Sequence, residues 1–187
     1  MDNWEEYLNT FVPSEKLRHE EAAIRALWMA ITASQLGTYG VGAVLLDEEG
    51  EVLIEGHNEV YVGDFRSDLH AEMVVVNRFE EGPWSRDVAR RCTLITSLEP
   101  CPMCMTRLIF AGIGTVLHLS DDSIGGMVQR RSALPPIFRE ITEDQNQVWG
   151  RAECSEDLRR AAFHIWDQSR DELDRRLPSR GNRASEE

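Results

Sequence analysis

The stretch TSLEPCPMCMTRLIFAGIG, Thr96 to Gly114, decides the fold. An apolar, strand-like run from Cys92 to Ser97 leads into it, and Cys101 to Ala111 reads as a helix. Thr115 to Leu119 follows as another apolar run. Strands alternating with helices belong to a layered α/β domain. Cys101 and Cys104 fall three apart on the first turn of that helix, so both thiols lie on one face. Alone, a C-x-x-C pair is equally compatible with a redox couple, half a zinc knuckle or two buried thiols.

The flanking sequence extends the alternation in both directions. Ser14 opens a helical pattern with Glu15, Glu20 and Glu21 early and an apolar stripe of Leu17, Ile24, Leu27, Trp28 and Ile31; Gly37 and Gly40 end it. Val41–Asp47 and Val52–Glu55, joined by a turn, read as antiparallel strands. A loop from His57 to Leu69 precedes a second helix, His70 to about Glu80. Downstream, Gly125-Gly126 and Pro135-Pro136 mark Asp121–Pro136 as loop, and Ile137–Gly150 holds either a fifth strand or a short helix. Ser155–Leu177 is helical, with Leu158, Ala161, Ala162, Ile165 and Trp166 as its buried stripe. The expectation is one domain over residues 1–177, with helices on both faces of one sheet, a C-terminal helical extension from about residue 126 and a disordered tail at 178–187.

A chain of 187 residues supports one sizeable core, and 28% charged residues with 42% hydrophobic ones suit a soluble protein. No apolar run approaches the ~20 residues of a membrane span. The start, Met1 to Glu6, lacks the basic-then-apolar pattern of a signal peptide, and four cysteines do not suggest a disulfide scaffold; a cytoplasmic location is expected. The net charge is −13, from 20 Lys and Arg against 33 Asp and Glu, and Lys16 is the single lysine. Holding a polyanion needs a basic face. The arginines near the C-terminus are instead interleaved with Glu156, Asp157, Asp171, Glu172 and Asp174, the pattern of a solvated helix face. Small-molecule partners are expected, with no nucleic acid and no membrane.

The second helix supplies what the cysteine pair lacks. It begins His70-Ala71-Glu72. One imidazole and two thiolates suit zinc and leave a tetrahedral ion one position open for water, the mark of a catalytic site. The helix start favours the thiolate form of Cys101 and Cys104, and Pro100 and Pro102 fit such a start. Glu72, two residues beyond His70, is placed to move protons between water and a leaving amine.

The combination H-x-E…P-C-x-x-C is the recorded signature of zinc deaminases. With VGAVLLDEEGEVLIEGHN, LHAEMVVVN and TLITSLEPCPMCMTRLIFAGIGTVLHL in this order, the chain resembles the cytidine/deoxycytidylate deaminase-like superfamily. The likeness falls on its nucleobase (cytosine and guanine) and tRNA adenosine deaminase branch and covers about Gly40 to Leu119. It implies a three-layer α/β/α sandwich around a mixed five-stranded sheet, usually oligomeric, here expected as a homodimer. It also implies Zn2+ held by His70, Cys101 and Cys104, Glu72 as the catalytic proton shuttle, and Asn58 as a substrate-binding residue. Where many relatives read D-P-T, this chain has Arg66-Ser67-Asp68-Leu69.

The implied activity is hydrolytic deamination of a small aminated heterocycle: a nucleobase, nucleoside or analogue. The alternatives are a tRNA adenosine deaminase and a non-catalytic zinc-stabilised domain. Outside the signature, Cys92 and Cys154 read as unliganded and His118 as a core histidine. His57 reads as a loop residue with local hydrogen bonds. Trp149, Phe163 and Trp166 suit core packing, or stacking on a ring.

Overall fold

The structure is a computed structural model that describes residues 4–176, apart from the side chain of Ser169; the expected tail at 178–187 lies outside the described residues. Five strands form one sheet: β1 Gly42–Leu46, β2 Val52–His57, β3 Thr93–Leu98, β4 Thr115–Ser120 and β5 Val148–Arg151. Their order is β2-β1-β3-β4-β5. β1 runs antiparallel to β2 and β3, whereas β3, β4 and β5 are mutually parallel, so the sheet is mixed as expected.

Every residue of β1 is buried, because the sheet is covered on both faces. Successive side chains point to opposite sides. Ala43 and Leu45 therefore join one core with Leu94 and Val116, beneath α3 (Ala71–Glu81) and α5 (Pro102–Ala111). Val44 and Leu46 join the other with Ile95, Leu117 and Leu119, beneath α2 (Glu20–Gln35) and α7 (Glu156–Arg175). The result is the three-layer sandwich.

Several boundaries differ from the expectation. The first long helix starts at Glu20, not Ser14, and residues 15–19 form turns. The buried Glu20 carboxylate accepts the backbone N–H groups of Ser14 and Ser155 (3.0 Å for Ser155), and His19 N–H bonds the Glu153 carbonyl at 3.0 Å. Those bonds tie the entry segment to the chain before α7 and hold it outside the helix. Ile24, Leu27 and Ile31 still face the core.

A short helix α1, Trp4–Thr10, and another, α4, Arg86–Ala89, add to the expected elements. Ile137–Gly150 holds both a helix, α6 Pro136–Asp144, and β5, with Asn146 at φ 52° turning the chain between them. The segment beyond residue 126 is thus not helix alone, since it adds an edge strand to the sheet. Gly112 ends α5 at φ 76°, a left-handed conformation that costs glycine little, and its N–H closes on the Leu108 and Ile109 carbonyls. Among the described residues no helix is long and apolar enough to cross a membrane.

Candidate active site

Strand register gathers the site at one end of the sheet. β2 ends where β1 begins, with His57 opposite Gly42, and β3 finishes at the same end. His70 and Cys101 are the residues immediately before α3 and α5, each with extended backbone (ψ 158° and 170°). That conformation turns both side chains into the space between the two helix starts. His70 Nδ1 lies 3.7 Å from Cys101 Sγ and 3.6 Å from Cys104 Sγ. The three donor atoms all lie within 4.8 Å of one another.

This donor set fits zinc. It offers one imidazole nitrogen and two thiols, from the starts of two helices whose dipoles favour thiolate. Without a metal, Cys101 and Cys104 share a proton. The hydrogen bond from Cys104 brings the Cys101 thiol down to about 4, against the opposing effect of burial and with further help from His70. The same sharing, with burial, pushes Cys104 well above the ordinary thiol range. Burial favours neutral His70, but the hydrogen bond to Cys101 and its charge, with Glu72 and Asp68, outweigh this and raise it. Glu72, 4% exposed, is raised to about 7, first by burial and then by the negative Cys101.

His70, Glu72 and Cys101 bound a cavity of 290 Å³ that also meets Asn58, Tyr39 and Trp166. That volume suits a single or fused ring. A larger recess of 610 Å³ behind α5, lined by Met105, Ile109 and Trp149, contains none of the three donor residues. Asn58 is buried, with its Oδ1 accepting the Thr38 hydroxyl at 2.6 Å and the Val60 N–H at 3.0 Å. With its oxygen so engaged, the Asn58 amide nitrogen remains as a hydrogen-bond donor.

The other residues singled out in the sequence divide clearly. Of the three aromatics, Trp166 reaches the cavity, Trp149 faces the recess behind α5, and Phe163 lines a groove with Arg151 and Arg159. His57 Nδ1 lies 3.0 Å from the adjacent Asn58 carbonyl, a local contact. Cys92 and Cys154 are buried free thiols, each pushed up to about 11 by burial and hence unreactive.

Tyr39 and Asp174 are cavity residues that sequence reading missed. The Tyr39 hydroxyl donates to Asp174 Oδ1 at 2.8 Å, and the Tyr61 hydroxyl donates to the Leu173 carbonyl at 3.1 Å. The last turns of α7 are thereby fastened over the mouth. No local pattern signals a contact across 135 positions.

Known proteins resemble this chain in sequence and fold. The family model for the cytidine and deoxycytidylate deaminase zinc-binding region matches residues 16–120. A probable cytosine deaminase of Schizosaccharomyces pombe is 29% identical over 114 residues, covering 60% of this chain and 67% of that protein. A tRNA-specific adenosine deaminase of Bacillus subtilis is 34% identical over 103 residues, covering 54% of this chain and 61% of that protein. The chain thus spans 61% to 67% of the lengths of these two relatives. The solved guanine deaminase of Nitrosomonas europaea covers 90% of this chain and is itself covered to 92%, with a TM-score of 0.62; at 18% identity the likeness is one of fold. Since the matched region takes in more than half of its 187 residues and the whole His70–Cys104 donor set, the chain belongs to the zinc-binding cytidine and deoxycytidylate deaminase family.

Proposed function

We propose that the chain is a zinc-dependent hydrolytic deaminase of a small aminated heterocycle, a nucleobase, nucleoside or analogue, which it converts to the oxo compound with release of ammonia. The observation that carries this reading is a buried carboxyl, Glu72, bounding the same small cavity as His70 and Cys101 of the donor set. Bound zinc would supply the Lewis acidity that makes water nucleophilic at neutral pH. His70, Cys101 and Cys104 would hold it.

Glu72 would take the proton of the attacking water on a carboxylate oxygen and return it to the departing nitrogen. A carboxyl group can carry a proton in both directions, and Glu72 is buried at the cavity wall beside the donor set, where such a transfer is needed. Asn58 would donate its amide N–H to an acceptor on the ring, and Trp166 would give the ring an apolar wall. A purely structural zinc has no use for a buried acid at its side that is not a ligand, which favours catalysis over a binding module.

The mouth favours a neutral substrate. Arg66, between the cavity residues Phe65 and Ser67, is held in a two-point ion pair by Asp68 (2.7 and 2.8 Å). Ammonia release should be measured with the zinc-loaded protein on cytosine, guanine, adenine, their nucleosides, and aminopyrimidine and aminotriazine analogues. Turnover of at least one ring is expected. Inosine formed in bulk tRNA, with no ring turned over, would replace this reading by the tRNA one.

A further inference from the structure

A second group of ionisable side chains lies beside the cavity: the buried Glu99 and His118 and the half-buried Asp121 bring ligand atoms within 4.8 Å of one another. Their hydrogen bonds argue against a second metal. Glu99 Oε1 accepts the Gln129 N–H at 2.9 Å and Oε2 the Asp122 N–H at 3.0 Å. Asp121 receives the His118 ring at 2.9 Å and the Arg151 guanidinium. A cation there would displace bonds already made.

We propose that Glu99 is a positioning residue, whose buried carboxylate clips the loop 121–130 to the strand end that carries Cys101 and so fixes both the zinc ligand and one wall of the cavity. Glu99 is 3% exposed and lies two residues before Cys101. Its backbone N–H bonds the Ser120 carbonyl at 2.8 Å, and the Met127 N–H bonds the Pro100 carbonyl at 2.9 Å, immediately ahead of Cys101. Two side-chain bonds and one backbone bond therefore join the loop to residues 99–100, and the Ser120 bond adds the end of β4.

The loop is stiff within itself. Arg130 donates to the carbonyls of Ser123, Ile124 and Gly126, and Asp122 Oδ1 accepts the N–H groups of Ile124 and Gly125 at 2.9 Å each. Gly126 leaves the carboxylate its place, because a Cβ there would come within 2.4 Å of Glu99 Cδ and Oε2. Glu99 and Asp122 both face the cavity, so a loosened clip opens its wall. An acceptor-only group is required: the N–H groups of Gln129 and Asp122 approach opposite oxygens, and a glutamine there would turn its NH2 toward one of them.

The proposal rests on the zinc-site reading, and the test separates the two. Full-length protein is loaded with cobalt in place of zinc, and thiolate-to-cobalt absorption is recorded for the parent, Glu99→Gln, Glu99→Asp and Gly126→Ala, with zinc affinity from chelator competition. A parent without thiolate-to-cobalt bands sinks the zinc-site reading, and the proposal with it. Given those bands, Glu99→Gln and Gly126→Ala should shift them and weaken zinc binding ~10- to 100-fold, the usual effect of losing an outer-shell support. The amides of Asp122 and Gln129 should exchange hydrogen faster in the same proteins, and Glu99→Asp should recover part of the loss. Should Glu99→Gln fail to fold, Gly126→Ala and Glu99→Asp decide. Faster amide exchange with parental spectrum and affinity would reduce Glu99 to a loop anchor and overturn the proposal, as would unchanged exchange.

Discussion

Glu72 is a carboxylic acid almost without solvent contact, beside two sulfurs and an imidazole. Burial disfavours its charged form and lifts it from an ordinary 4.5 to about 7 in the metal-free protein. Below pH 4.5 the folded and unfolded chains both hold this proton. Between 4.5 and 7 only the folded chain does, so the group's contribution to stability falls as pH rises, by about 3 kcal/mol once both states are ionised. Metal-free Glu72→Gln lacks this slope. From pH 5 to 8 the parent's melting temperature should fall relative to the variant's; a constant difference would show that the acid is not raised. The signature residues were legible because each sits at a helix start, where a spacing of two or three residues decides which side chains meet. Tyr39 and Asp174 were not, since only the completed fold brings them together.

The donor set joins the starts of α3 and α5, which are held farther along by apolar packing and the Arg107–Glu80 ion pair. Cys104→Ala should lose zinc and thermal stability together, because metal-binding energy is also folding energy. Retention of one zinc per variant chain would remove Cys104 from the ligand set. Trp166, 8% exposed on α7, both packs in the core and walls the cavity. Trp166→Ala should lose roughly 3 kcal/mol of stability. It should also raise KM on the identified substrate more than it lowers kcat, with zinc content unchanged; an unaltered KM would place the ring elsewhere. The β3–α5–β4 run could be read from sequence because apolar runs, Pro102 and Gly112 mark its ends. The start of α2 could not, since Glu20 is committed to Ser155, far along the chain. Nor could the choice within Ile137–Gly150, where four strand residues gain their order only by pairing with β4.

The molecule carries a charge of −13, and Arg66, between the cavity residues Phe65 and Ser67, is already paired with Asp68. Binding to bulk tRNA should therefore be weak even at low salt, and tight binding that collapses with added salt would show a basic surface that a single chain lacks. The layered architecture was implied by the alternation of elements, whereas the fastening of α7 across the mouth emerged only in three dimensions. The central claim is that a His70–Cys101–Cys104 zinc site works with a proton-moving Glu72. Zinc stoichiometry and ammonia release, measured on the same preparations of the parent and Glu72→Ala, test it most directly. The account predicts about one zinc per chain in both, with ammonia release falling ~10²- to 10⁴-fold or more in the variant. A fully active metal-free parent, or a Glu72→Ala protein with near-parental kcat, would contradict it.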